Sequence, residues 1–388
     1  MKLMLIVCLI LGMFIPIHVQ AEQEEEKVKV DSKAAVLLES NTGAVLYEKN
    51  GNKKMYPASL TKIATSIYAI EKGNINDIVT VSKKAVDVEG TKVYLEQGEK
   101  VTVKHLLDGM LINSGNDAAM AVAEYLDGSQ EQFEENFNKY LQENIHLTST
   151  HFTNPHGLFD KNHYTTANDM AKITQYALKN DAFRVIFGTK QLEWHGESWN
   201  TTLYTHHLML KGELPNHDII GGKTGFVNES KQTLATAAKN KDMGLIAIVL
   251  KGNVKKEIYE DTSNLLEYGF TQFQLKQIEK GHLYFNDGKT YQTIKNEMIT
   301  TPKTDSKSSV TSEGILQIKA EDNRIIQNIS LQELEKQVLT TESTDSDTTE
   351  NVHNHKSKFT ISILFVAAGI SILFVWIKMR KRYNRLFS

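Results

Sequence analysis

The sequence is almost free of cysteine and carries little excess charge of either sign. Its 388 residues include a single cysteine, Cys8, which lies in a leader that we expect to be removed. The mature chain can therefore build no disulfide framework and has no cysteine nucleophile. The formal net charge is only -3 at pH 7, so bulk electrostatics give no reason to expect a nucleic-acid partner. No internal repeat stands out.

The N-terminus has the pattern of a secretory signal peptide. Lys2 precedes an apolar run over residues 3–17, and Val19 and Ala21 place small or apolar side chains around a plausible cleavage point. We therefore predict that residues 1–21 are a signal peptide and that the mature protein is extracytoplasmic.

The first informative motif is Ser59-Leu60-Thr61-Lys62. Pro57 suits the first turn of a helix, and the apolar residues that follow recur at helical spacing. Ser59 and Lys62 are three positions apart, so they share one helix face. A serine hydroxyl becomes a good nucleophile when a base removes its proton, and a lysine can do so when burial or a nearby cation lowers its pKa. The motif predicts Ser59 as nucleophile and Lys62 as its base.

The second motif, Ser114-Gly115-Asn116, lies between two segments of helical periodicity, 103–112 and 118–126. We expect a tight connection in which Gly115 adopts backbone angles that other residues disfavour and Asn116 caps the following helix. Many helix pairs have a polar corner of this kind. The second motif therefore indicates an active site only in combination with the other two motifs.

The third motif, Lys223-Thr224-Gly225, begins a pair of predicted strands. The last strand of the group, over residues 244–250, is a continuous apolar run of the kind found in buried strands. A lysine and a hydroxyl on a strand edge offer one charge and one hydrogen-bond donor to a carboxylate.

Together and in this order, the motifs resemble the S-x-x-K, S-x-N and K-T-G set of penicillin-binding proteins and serine β-lactamases. Residues 154–158 and 163–171, and an opening hairpin over 34–47, resemble the low-molecular-mass penicillin-binding proteins that act as D-alanyl-D-alanine carboxypeptidases. The similarity covers roughly residues 33–275. The chain is similar in particular to the sporulation-associated carboxypeptidases of endospore-forming bacteria.

The resemblance implies a serine peptidase that removes the terminal D-alanine from peptidoglycan pentapeptide stems ending in D-Ala-D-Ala. It also implies binding of β-lactam inhibitors. The implied reaction needs no metal or organic cofactor. In this family pattern Ser59 forms the acyl ester and Lys62 accepts its proton. Ser114 would relay a proton to the leaving amine, and Asn116 would donate to a substrate amide carbonyl.

The third motif has its own implied roles. Lys223 and Thr224 would hold the terminal carboxylate of the substrate, with Gly225 completing the motif. The backbone N–H groups of Phe226 and Ser59 would form the oxyanion hole.

Two rival enzymes and one non-enzyme remain as alternatives. A class A-like β-lactamase usually has aspartate at the position of Gly115 and a glutamate on a separate loop, for which we find no convincing counterpart. A peptidoglycan endopeptidase is not distinguishable from a carboxypeptidase by sequence, because both cleave a bond next to a D-alanine. A non-catalytic wall-binding protein is disfavoured by the intact motif set.

Four further residues near the motifs need an interpretation. Family members often place an additional basic residue on the substrate carboxylate, and both Lys255 and Lys256 are open possibilities. His156 and His163 resemble members of a catalytic triad, but the family gives them no nucleophilic role, and we interpret them as structural.

The order of hairpin, helices and strands predicts a mixed α/β fold, a β-lactamase/transpeptidase-like antiparallel sheet flanked by helices. A helical subdomain should hold Ser114. The apolar stripe of Phe133, Phe137, Tyr140 and Leu141 is expected to form part of the core of that subdomain.

A small β domain should follow the catalytic domain. Residues 276–339 alternate short apolar runs with turns, and Asp287-Gly288 is a hairpin signal. Within this region we expect a long loop over 300–312. Residues 340–358 have few apolar side chains and are predicted to be a disordered tether.

The C-terminal region has the pattern of a membrane anchor. Residues 359–377 contain no charge and are long enough to span a bilayer as a helix, and the basic tail over 378–388 should stay in the cytoplasm. We therefore predict a single-pass protein of the cell membrane with its catalytic domain outside. In the family it resembles, an amphipathic helix lying on the membrane is the commoner anchor.

Overall fold

A computed structural model describes residues 28–215, 218–304 and 307–334. The predicted signal peptide, tether, membrane helix and basic tail lie outside these residues. Within the described ranges, no helix has both the length and the hydrophobicity needed to cross a membrane.

The helices of the described residues lie in the catalytic region. In chain order they are α1 (Thr61–Lys72), α2 (Lys83–Asp87), α3 (Val103–Ile112), α4 (Asn116–Asp127), α5 (Gln130–Ile145), α6 (Ala167–Ala177), α7 (Asp181–Phe187), α8 (Leu208–Lys211) and α9 (Lys255–Gln272).

The strands fall into two groups, one before and one after α9. The first group is β1 (Ala34–Glu39), β2 (Val45–Lys49), β3 (Ile78–Thr80), β4 (Lys100–Thr102), β5 (Gln191–His195), β6 (Asn200–Tyr204), β7 (Ile219–Val227), β8 (Lys231–Lys239) and β9 (Gly244–Gly252). The second group is β10 (Phe273–Ile278), β11 (Leu283–Asn286), β12 (Lys289–Gln292), β13 (Glu297–Pro302), β14 (Lys307–Val310), β15 (Ile315–Lys319), β16 (Ile325–Ser330) and β17 (Gln332–Leu334).

An antiparallel sheet with the strand order β2-β1-β9-β8-β7 forms the centre of the catalytic region. The chain enters this sheet as the predicted hairpin and returns to it after the helices, so β1 pairs with β9. The central position of β9 explains its continuous apolar run, because both of its faces are covered. The predicted mixed α/β fold is thus confirmed.

Each face of the sheet belongs to a different core. Side chains alternate along a strand, so Val36 and Leu38 contribute to the core that contains α1 and the helical subdomain. Leu37, between them, contributes to the core that contains Leu265 of α9. The nucleophile motif at the start of α1 therefore lies on the face opposite α9.

The helical subdomain packs around α5, whose predicted apolar stripe is buried. Phe133 and Phe137 are fully buried, and Tyr68 of α1 packs against both rings. These aromatic contacts join the subdomain to the helix that carries Lys62.

The region after α9 forms three small antiparallel sheets, β10-β13, β11-β12-β17 and β14-β15-β16. The hairpin predicted at Asp287-Gly288 is present, and both residues have positive φ, as a tight two-residue turn requires. The expected loop over 300–312 is wrong, since β13 and β14 occupy much of it. Thr300 and Thr301 are buried in β13, where β-branched side chains pack well.

This β region is attached to the outer edge of the central sheet. The Arg324 guanidinium donates hydrogen bonds to the backbone oxygens of Val45 (2.7 Å) and Leu46 (2.6 Å) of the edge strand β2. Thr42 and Thr300 share a hydroxyl contact of 2.7 Å beside it. An otherwise open strand edge is therefore covered.

Candidate active site

Ser59 lies in a short 3₁₀ turn that leads into α1. Ala58, directly before it, has a φ of 49°, in the left-handed region that non-glycine residues adopt only at an energetic cost. Thr233 of β8 donates a hydrogen bond to the backbone oxygen of Pro57 at 3.0 Å. The central sheet thus supports the strained turn that presents the serine.

Lys62 is fully buried one turn further along, with its Nζ among three oxygen atoms. The Nζ lies 3.0 Å from Ser59 Oγ, 2.7 Å from Asn116 Oδ1 and 2.8 Å from the His156 backbone oxygen. A neutral amine has two hydrogens, and the two carbonyl oxygens accept both. Its lone pair is then directed to the Ser59 hydroxyl, which is the arrangement a general base needs.

The surroundings of Lys62 favour the neutral amine. Burial lowers its pKa well below the ordinary value, because a charged amine loses its hydration there. The charge of Lys223 lowers the pKa further, and the Asp117 carboxylate acts in the opposite direction. The predicted role of Lys62 therefore has both the geometry and the electrostatics it requires.

The corner between α3 and α4 differs from the predicted conformation. Ser114, not Gly115, is the residue in the left-handed region, with a φ of 65°. Gly115 has an ordinary φ of -58° and is needed for space, since a Cβ there would lie 2.9 Å from Asp117 Oδ1. The serine hydroxyl of the second motif is thus aimed by a strained backbone.

Asn116 is the first residue of α4 and makes no side-chain cap, so the predicted capping role is wrong. Its Oδ1 accepts from Lys62, and its Nδ2 donates to the Glu89 backbone oxygen at 2.6 Å. Only one of its two amide hydrogens is used by Glu89. The predicted donation to a substrate carbonyl would take the other.

Lys223 connects the third motif to the second. Its side chain is buried, and its Nζ donates to Ser114 Oγ at 3.0 Å and to the Thr224 backbone oxygen at 3.1 Å. Burial lowers the pKa of Lys223 to about 7. The cation that lowers the pKa of Lys62 therefore also orients the Ser114 hydroxyl.

Gly225 allows strand β7 to approach the nucleophile closely. A Cβ at this position would lie 2.9 Å from the Ser59 backbone nitrogen and 2.5 Å from Thr233 Oγ1. Thr224 and Phe226 flank it on the strand edge, and Phe226 is half exposed. The oxyanion hole formed by the N–H groups of Ser59 and Phe226 stays a prediction, with the two segments in the proximity it needs.

Sequence reasoning missed two supports of this site. One is the His156 backbone oxygen, which holds Lys62 and which no side-chain pattern indicates. The other is Asp117, whose carboxylate accepts from the backbone N–H groups of Val93 and Leu95 and so fixes the loop beside Asn116. Its position directly after the second motif was the only available signal.

The two histidines near the site are buried and neutral. Burial lowers the pKa of His163 to about 3 and that of His156 well below its ordinary value. Such weak bases are unsuited to accept a proton from serine near neutral pH. Over the ranges that the structure describes, no group of three or more His, Cys, Asp or Glu side chains is placed to hold a metal ion.

A cavity of about 470 Å³ lies between strand β6 and the start of α9. Asn113, which precedes Ser114, lines it together with His206 and Lys255. The neighbouring Lys256 instead forms an exposed ion pair with Glu260, at 3.3 Å. Of the two lysines considered from the sequence, Lys255 is therefore the one that lines this cavity.

The sequence comparisons agree with this geometry. The family model described as "D-alanyl-D-alanine carboxypeptidase" matches residues 19–254. The chain is 37% identical over 257 residues to D-alanyl-D-alanine carboxypeptidase DacF of Bacillus subtilis, a match that covers 64% of this chain and 65% of that relative. It is 31% identical to DacA of Haemophilus influenzae, over 71% of this chain and 73% of the relative.

Solved structures agree as well. Penicillin-binding protein 5 from Haemophilus influenzae superposes with a TM-score of 0.67 and 27% identity, over 79% of this chain and 97% of that one. A mutant of the Streptomyces K15 DD-transpeptidase superposes with a TM-score of 0.58 and 27% identity, over 62% of this chain and 98% of that one. The family predicted from the three motifs is confirmed, and the chain belongs to the D-alanyl-D-alanine carboxypeptidase family.

Proposed function

We propose that this protein is a serine-type D-Ala-D-Ala carboxypeptidase that trims peptidoglycan pentapeptide stems and is acylated by penicillin. One observation carries the proposal. The buried Lys62 amine contacts Ser59 Oγ at 3.0 Å while its remaining contacts are carbonyl oxygens. Family membership makes this pair the reacting centre, because acyl transfer through serine needs such a base.

We infer the following course of acylation from the roles of the motif residues. Lys62 takes the Ser59 proton as Oγ bonds to the carbonyl carbon of the penultimate D-alanine. The oxygen of that carbonyl becomes an oxyanion, which the N–H groups of Ser59 and Phe226 would stabilise. When the C–N bond breaks, the leaving D-alanine nitrogen gains a proton through Ser114, which recovers one from the Lys62 ammonium.

Carboxylate recognition uses the strand edge and the cavity. Lys223 and Thr224 would bind the terminal carboxylate of the substrate, since a lysine cation and a hydroxyl match its charge and its acceptors. Lys255, at the start of α9, would supply a second cation from the wall of the cavity that Asn113 also lines. A substrate without a terminal carboxylate should accordingly be poor.

Deacylation completes the reaction. A water molecule attacks the ester carbonyl, gives a proton to the active-site base, and releases the shortened stem while Ser59 regains its hydrogen. A β-lactam would follow the same first step. Its leaving nitrogen stays tethered to the acyl group, which leaves a long-lived ester.

Product identification tests the proposal and separates it from endopeptidase activity. A purified pentapeptide muropeptide and a cross-linked dimer are each incubated with the enzyme and analysed by mass spectrometry. We expect loss of one alanine from the pentapeptide. Cleavage of the dimer with an unchanged pentapeptide would instead identify an endopeptidase.

We further propose that the catalytic region faces the cell wall from a single C-terminal membrane span. The support is the uncharged run at 359–377 followed by the basic tail over 378–388. Protease added to protoplasts should digest the catalytic region and spare a tag placed after Ser388. Extraction of the full chain by alkaline carbonate would indicate a peripheral anchor instead.

A further inference from the structure

A buried histidine links two parts of the active site through one chain of hydrogen bonds. The Thr153 backbone N–H donates to His163 Nδ1 at 3.0 Å. His163 Nε2 lies 2.8 Å from Thr61 Oγ1, and Thr61 Oγ1 donates to the Ala58 backbone oxygen at 2.9 Å. Both side chains are buried, at 2% exposure for His163 and 0% for Thr61.

The direction of each bond in this chain follows from its neighbours. Nδ1 accepts from Thr153, so the hydrogen of the neutral ring is on Nε2. Thr61 uses its hydroxyl hydrogen at Ala58, so its oxygen must accept from Nε2. This is the neutral form that burial favours by lowering the pKa of His163 to about 3. Both ring nitrogens are therefore occupied in structural bonds.

The chain of hydrogen bonds ends at Ala58, the residue that sets the conformation of the nucleophile turn. Ala58 holds a φ of 49°, and its carbonyl oxygen is packed so tightly that a Cβ at Gly157 would lie 1.9 Å from it. The Ala58 carbonyl and the Ser59 N–H belong to the same planar peptide unit, so the orientation of the carbonyl fixes that of the N–H. That N–H is a donor of the proposed oxyanion hole.

At its other end, the chain of hydrogen bonds holds the loop that supports Lys62. Thr153 belongs to the same loop as His156, whose backbone oxygen accepts from Lys62 at 2.8 Å. Asn154 closes this loop by accepting from the Gly157 N–H at 2.7 Å. His163 thus ties the segment that places the base to the turn that places the nucleophile.

We infer that His163 is a positioning residue for acylation, acting through the Thr61 hydroxyl on the turn that presents Ser59. The inference rests on the proposed function. His163 exchanges no proton in the reaction. Its effect lies in holding Ser59 Oγ, the Ser59 N–H and Lys62 in one fixed arrangement, and misplacement by about 1 Å is enough to lower a rate by about a hundredfold.

Matched variants of the full-length protein test the inference. The His163 ring stacks on Phe152 with 4.9 Å between centroids, so His163→Phe keeps an aromatic ring there but loses both hydrogen bonds. Thr61→Val keeps the shape of the side chain and loses the hydroxyl, and Thr61→Ser keeps the hydroxyl. We expect acylation by a fluorescent penicillin, and kcat on a D-Ala-D-Ala peptide, to fall about tenfold to a hundredfold in the first two variants. KM should change by less than about threefold, and Thr61→Ser should restore most of the rate.

The control must separate positioning from stability. Thr262→Val removes an equally buried hydroxyl bond, to the Ile258 oxygen in α9, and should lower Tm without slowing acylation. The double variant of His163 and Thr61 should be no slower than its slower parent, because both changes break one chain.

Three outcomes would overturn the inference: acylation at the wild-type rate in Thr61→Val, equal slowing in Thr262→Val, or no recovery in Thr61→Ser. The Thr61 pair decides the matter even where His163→Phe fails to fold. Absence of acylation in the wild type would overturn the proposed function itself, which is a distinguishable result.

Discussion

The role of Lys62 can be tested by separating its charge from its basicity. Lys62→Met removes the amine and keeps a side chain of similar length, and Lys62→Arg keeps a cation that cannot deprotonate. A positioned general base contributes about a hundredfold to ten-thousandfold, which corresponds to about 3–5 kcal/mol of barrier. Because the Lys62 amine directly faces Ser59 Oγ, both variants should lose acylation by this amount.

The assay is the second-order rate of acylation by a fluorescent penicillin, measured well below the Tm of each variant. Lys49→Met is the matched control, since the Lys49 amine also donates to a backbone oxygen, that of Val30 at 2.6 Å, but lies on the edge strand β2. The control should acylate at the wild-type rate. A Lys62→Arg variant within about tenfold of wild type would rule out Lys62 as the base, because another group would then be taking the Ser59 proton.

Lys223, Gly157 and Arg324 each give a further prediction. Burial lowers the pKa of Lys223 to about 7, and only the protonated amine carries the charge that would bind the substrate carboxylate. Therefore kcat/KM for a carboxylate substrate should fall as the pH rises above about 7. In Lys223→Arg this fall should move to higher pH, because arginine stays protonated. Gly157→Ala should destabilise the fold by at least about 1–3 kcal/mol in denaturant titrations, since Gly157 has a φ of 87° and a Cβ would meet the Ala58 oxygen. Arg324→Ala should lower the free energy of unfolding by about 1.5–3 kcal/mol with unchanged acylation, because the bonds it removes are two charge-assisted ones to β2 and an ion pair with Asp322; slower acylation would contradict this.

The parts of the fold that the sequence predicts well are those encoded by local periodicity. The strand at 244–250 has a continuous apolar run because β9 is covered on both faces, and the α5 stripe from Phe133 to Leu141 repeats at helical spacing. The hairpin at Asp287-Gly288 is equally local. The motif residues could be assigned because their order resembles a known family, not because any one of them is distinctive.

The parts that escape prediction depend on contacts between distant segments. Ser114 rather than Gly115 has the positive φ, and Gly115 is needed because a Cβ there would lie 2.9 Å from Asp117 Oδ1, a contact that no turn rule contains. Asn116 lies inside α4 rather than at its cap position, and its oxygen accepts from Lys62, which is far away in sequence. Strands form within 300–312 because Thr300 and Thr301 of β13 find partners in β10 and β14 finds its partner in β15, although the segment is polar enough to suggest a loop.

Locating the acylated residue is the decisive experiment for the serine mechanism. The full-length protein is incubated with benzylpenicillin, digested, and analysed by mass spectrometry to locate the penicilloyl adduct. We predict a single adduct on Ser59 and none in Ser59→Ala. An adduct on another residue, or labelling that persists in Ser59→Ala, would show that Ser59 is not the nucleophile.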